Sequence, residues 1–150
     1  MKRLALFAVF FAVAVSSPAS ATPLDQPLHC DRSAHQFIGE LEQKGLIDPH
    51  PSRVEDNSIN AFDPSHDADL TAFGYHVFAI VGFQKDDSIF KKGKGKPLAD
   101  SAYGAVVLGA TDSVRAAARA AGSTAIIHHV APFVTAVFCQ LDPGTSENRP

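Results

Sequence analysis

The chain lacks the basic excess that a nucleic-acid-binding domain normally carries. Lys and Arg number 13 against 16 Asp and Glu, for a formal net charge of −3. Nucleic acid is therefore not expected as a partner. Cysteine is scarce, with only Cys30 and Cys139. The common catalytic signatures are missing as well. There is no GxSxG nucleophile elbow. There is no HExxH, no Cys/His zinc spacing and no GxxxxGK[ST] phosphate loop. Glu55 and Asp56 are merely adjacent and do not mark a glycosidase pair. Beyond the first residues no apolar run approaches the ~20 residues of a membrane span. No internal repeat is visible. These absences leave no cofactor expected and no sequence signal for an enzyme.

What is present begins with an export signal. Lys2 and Arg3 precede the apolar run Leu4–Val15; Ser16, Ser17 and Pro18 break it; Ala19-Ser20-Ala21 supplies the small residues of a cleavage site. Residues 1–21 read as a signal peptide cut near Ala21, with a periplasmic or secreted destination. Cys30 lies too far past the run to be lipidated at that site. Losing Lys2 and Arg3 with the leader takes the formal net charge from −3 to −5. Residues 22–141 are expected to form a single α+β domain, and the polar residues 142–150 a flexible tail. An even cysteine count in an exported chain predicts a Cys30–Cys139 disulfide, so neither thiol is available as a nucleophile. Closing so long a loop is worth roughly 4–5 kcal/mol in the chain-entropy model.

Periodicity then predicts the elements. Residues 22–28, with Pro23 and Pro27, read as an extended lead-in. A helix capped by Asp31 or Ser33 runs to about Lys44, with Gly45 closing it. Residues 48–57 are turn-rich, residues 58–62 form a short strand and residues 63–69 a loop. The near-continuous apolar run in residues 72–84 predicts a central strand covered on both faces, with His76 inside it. Residues 103–110 form another strand, and a second helix capped by Thr111 or Asp112 ends at Gly122. The final strands, 124–130 and 133–140, meet in a turn at Ala131-Pro132. A two-residue turn would pair Val130 with Phe133, His128 with Thr135 and Ile126 with Val137. The expected fold is a mainly antiparallel sheet of about five strands with two helices packed on it.

Three groups of residues can carry chemistry. Asp63, His66, Asp67 and Asp69 share one loop and are weak metal candidates; the spacing fits no calcium loop, and a solvated acidic turn is the favoured explanation. His128 and His129 are neighbours on a strand, so they point to opposite faces and cannot share an ion. The most unusual feature is Lys91, Lys92, Lys94 and Lys96 with intervening glycines, a positive patch on an acidic chain. Preceded by Ile89 and Phe90, it reads as an apolar anchor beside a charged rim. The functional expectation is a small exported non-enzymatic module that binds a protein or an anionic envelope polymer, as an inhibitor or immunity-type protein does. Alternatives are a periplasmic small-ligand or metal-binding protein and a cell-envelope glycan hydrolase.

Overall fold

A computed structural model describes residues 20–141. The signal-peptide reading for residues 1–21 and the tail reading for 142–150 therefore fall almost wholly outside the described residues. The order is β1 (Thr22–Pro23), a 3-10 turn (Pro27–His29), α1 (Ala34–Gln43), β2 (Arg53–Val54), β3 (Asn60–Phe62), β4 (Leu70–Ala72), β5 (Tyr75–Gln84), β6 (Ser101–Leu108), α2 (Thr111–Ala120), β7 (Ile126–Ala131) and β8 (Val134–Leu141).

Among the described residues the class is α+β, with two helices as expected, but the sheet is larger than expected and mixed. It has eight strands in the order β1-β4-β5-β6-β8-β7, with β3 also pairing β5 and β2 pairing β3. β1 runs parallel to β4, and the other pairs are antiparallel. The unforeseen strands β1, β2 and β4 have two or three residues each. Nothing so short has a period of its own; pairing with another strand defines it.

Local chemistry explains the remaining boundaries. Ser33, rather than Asp31, caps α1 in a capping box: its side chain accepts from the Gln36 N–H, and the Gln36 side chain accepts from the Ser33 N–H. Gly45 closes the helix at φ 66°. α2 starts after Ala110 and has no side-chain cap. The expected strand 72–84 is in fact a hairpin followed by a strand. Phe73 and Gly74, at φ 50° and 86°, form the turn between β4 and β5. The unfavourable φ at Phe73 is met by the Asp25 carboxylate, which accepts from its N–H at 2.7 Å.

Both helices lie on one face of the sheet. Cross-strand rows on that inner face are Phe62–Ile80–Ala105–Val137–Ile127 and Asn60–Gly82–Tyr103–Cys139. Ala34, Phe37, Ile38 and Leu41 of α1, with Val114 and Ala118 of α2, are buried. Phe37 stacks on Tyr103 at a centroid distance of 4.6 Å. Tyr103 is fully buried, its hydroxyl donates to the Pro27 carbonyl at 2.8 Å, and burial pushes its phenol up to about 12. The Cys30–Cys139 disulfide is formed and ties the segment before α1 to β8.

Candidate functional site

The lysine segment has a built conformation rather than a free one. Lys85 N–H donates to the Asp100 carbonyl and closes its neck. Beyond that neck the segment lies along residues 55–60. Buried Asn60 bonds Lys91 twice: Nδ2 donates to the Lys91 carbonyl at 2.8 Å, and Oδ1 accepts from the Lys91 N–H at 2.9 Å. Buried Ser58 accepts from the Gly93 N–H at 3.0 Å. Gly95 and Leu98 donate to the carbonyls of Asp56 and Asn57. A Cβ at Gly93 would run into the Glu55 and Asp56 carbonyls. That glycine serves close backbone packing, not an anion cradle. The lysine side chains are left exposed on the outer side of this seam.

Ile89 and Phe90 do not form an exposed apolar anchor. Phe90 is 8% exposed and belongs to the core. Its ring meets Phe62 and Phe83 edge-on at 6.3 and 6.2 Å. Ile89 is half-buried against the same cluster. Beside them an open groove of about 650 Å3 carries Lys85, Lys92 and Lys96 but also Asp86, Asp87 and Asp100. Opposite charges alternate along it, so its field is not that of a simple anion site.

The histidine and aspartate candidates are dispersed. The Asp63 carboxylate accepts from Ser52 Oγ at 3.0 Å, while Asp69 lies 3.8 Å from His76. His66 and Asp67 are exposed. Among the described residues no group of three or more His, Cys, Asp or Glu is placed to hold a metal. His76 is exposed rather than a core histidine. His129 bonds Thr111 at 3.1 Å on the inner side, and His128 points to the opposite face.

The last hairpin departs from its expected register, and this exposes the more informative feature. Ile126 pairs with Phe138, Ile127 with Val137, His128 with Ala136 and His129 with Thr135, with an irregularity before Ala131–Val134. The turn is Pro132-Phe133, with Phe133 at φ 57°. Val130 is the extra residue, so every pair beyond it slips by one. Ile127 and His129 therefore share the inner face with Val137 and Thr135, and Ile126 and His128 share the outer face with Phe138 and Ala136.

The outer face of the sheet then carries two rows, Ala61–Val81–Gly104–Phe138–Ile126 and Ala79–Val106–Ala136–His128. Neither row contains Asp, Glu, Lys or Arg. Among the described residues no helix lies over them, contrary to the expectation of a central strand covered on both sides. Val81, Val106, Ala136 and Phe138 floor an open trough of about 620 Å3. One wall is Glu55, Asn57, Ile59 and Leu98; the other is Ile126, His128 and Val130. Ile126 and Val130 are 51% and 52% exposed. Leu98 belongs to the same segment as the lysines, of which Lys92 and Lys96 line the neighbouring groove rather than the trough. Sequence reading missed this face because a continuous apolar run signals a strand but not which of its sides a helix will cover. No family model, curated protein or solved structure matches the chain.

Proposed function

We propose that the chain is an exported, non-enzymatic binding module that holds another protein against its open sheet face, in the manner of an inhibitor or immunity-type protein. The observation that carries this reading is the apolar trough whose sheet floor holds no formally charged residue and to whose wall the lysine segment contributes Leu98. Contiguous apolar surface of this kind on a folded domain marks an interaction site. Phe138 and Ile126 would supply the buried area, and Lys91, Lys92, Lys94 and Lys96 the electrostatic selection. The partner surface that fits has an apolar centre and an acidic rim. The disulfide, and the absence among the described residues of a helix long and apolar enough to span a membrane, are compatible with a periplasmic or secreted location.

The test is recovery of a partner from envelope extract by three baits: the wild-type chain, the chain with all four lysines changed to Ser, and Ile126→Asp. The reading expects one protein recovered by the wild type, depleted with both variants, and more weakly held at high salt. Equal recovery by all three baits would overturn it. The trough volume also falls in the ~300–1,000 Å3 range of small-ligand sites, which supports a second reading in which an apolar small molecule occupies the floor. Native mass spectrometry of the purified chain separates the two, because a bound small molecule adds a discrete mass.

A further inference from the structure

The hairpin that joins β7 to β8 ends in an apolar projection. Residues 120–141 contain no Asp, Glu, Lys or Arg, so both strands and their turn are free of formal charge. At the turn stand Val130, Ala131, Pro132, Phe133 and Val134, none with a polar side-chain atom. Phe133 is 73% exposed, and Val130 and Leu108 are each 52% exposed. Leu108 pairs with Val134 at the end of β6 and so stands beside the turn. Phe133 lines neither the groove nor the trough. Its backbone is also unfavourable, at φ 57°. A turn with proline first and a positive φ second ordinarily carries glycine in the second place, and a bulky side chain there is strained. Packing does not offset the strain, because the ring is no part of the core. Strain held at so exposed a position points to a use outside the fold.

We infer that this tip enters the surface layer of a lipid bilayer and holds the protein there reversibly. A protein partner is selected by hydrogen bonds and charges around an apolar centre, and the tip has no side-chain group to offer either. A bilayer requires neither. It penalises instead every charge and every unsatisfied backbone group carried into it. The tip carries no charge and few free backbone groups: Pro132 has no N–H, and the Phe133 carbonyl accepts from the Gly109 N–H at 2.8 Å. Asp112 and Arg115, at the start of the neighbouring α2, neutralise one another at 2.7 Å. Phe and Leu are among the side chains that interfacial elements bury. One aromatic and two aliphatic side chains bury too little area for permanent anchoring, so the attachment is weak. The acidic balance of the chain gives anionic lipid no general attraction, so neutral lipid should bind at least as well.

Flotation of the oxidised chain with phosphatidylcholine vesicles tests this, beside vesicles that also contain phosphatidylglycerol. The sequence has no Trp, so Phe133→Trp supplies a single reporter. Its emission should shift to the blue on adding either vesicle and be quenched by lipid brominated on the acyl chain. Glycine suits the positive φ, so Phe133→Gly should keep the fold, as urea unfolding would show. Its vesicle binding should be weaker than that of the wild type by about tenfold or more. Added salt should leave wild-type binding unchanged. Three results would overturn the proposal: no wild-type binding at millimolar lipid, equal binding by Phe133→Gly, or binding confined to phosphatidylglycerol vesicles and abolished by salt. Absence of vesicle binding, with an envelope protein recovered by the wild type but not by Phe133→Gly, would assign the tip to a protein partner instead.

Discussion

Asn60 shows how one buried amide can hold a surface feature in place. Its two hydrogen bonds to Lys91 are made by opposite ends of one side chain. Asn60→Ala removes both and leaves the Lys91 N–H and carbonyl partly buried without their partner. The expected cost is about 2–3 kcal/mol, read from urea unfolding. Asn60→Asp keeps an acceptor for the N–H but sets a carboxylate against the carbonyl, so it should be no milder. Tyr103 makes a pH-dependent contribution. Burial raises its phenol from 10.0 to about 12, so the unfolded chain ionises first as pH rises. Stability is fully present below pH ~10 and is lost as pH climbs toward 12. Tyr103→Phe should cost about 1 kcal/mol at neutral pH through the lost bond to Pro27, yet lose less than the wild type across the alkaline window. Parallel alkaline losses in the two proteins would contradict this origin. At this scale the sequence is a partial guide. Lys91–Lys96 announces a patch, but the reason for Gly93 lies in carbonyls of residues 55 and 56, far away in the chain.

Among the elements, those with their own local chemistry were legible and the short strands defined only by their pairing were not. α1 is written in Ser33, Gln36 and Gly45, and its bounds follow. α2 is written in its alanines and Gly122, but its start lacks the side-chain cap that Thr111 or Asp112 promised. β1, β2 and β4 have no pattern to read. The β7–β8 hairpin was legible as a hairpin, yet Val130 shifts its register and sets Ile126 and His128, rather than Ile127 and His129, on the face of Phe138. The lysine segment illustrates the same division. Its composition suggests a mobile loop, whereas its bonds to residues 56–60 make it part of the frame. Hydrogen exchange should therefore find the Lys91, Gly93, Gly95 and Leu98 amides slower than their neighbours Lys92 and Lys94. Uniformly fast exchange from 91 to 98 would contradict the pinned conformation.

The whole molecule is asymmetric from one side of its sheet to the other. Two helices and the disulfide segment crowd the inner face, and the core forms there. The outer face keeps apolar rows over which the described residues place no second layer. A two-layer domain normally turns polar residues outward along such strands. Here the alternation is missing because both faces have apolar contacts to make, one within the chain and one, on the proposed reading, outside it. That is also why the face was hidden in the sequence: residues 75–83 look like a strand buried on both sides, and only the landing of both helices on one side shows otherwise. The measurement that tests this most directly is photo-crosslinking in the native compartment from a benzophenone side chain placed at Phe138, with a second placed at Arg115 on α2 as reference. The prediction is a discrete protein adduct from position 138, absent from position 115 and weakened when Lys91, Lys92, Lys94 and Lys96 are Ser. No adduct from position 138, or the same products from both positions, would contradict the assignment of the outer sheet face as the binding surface.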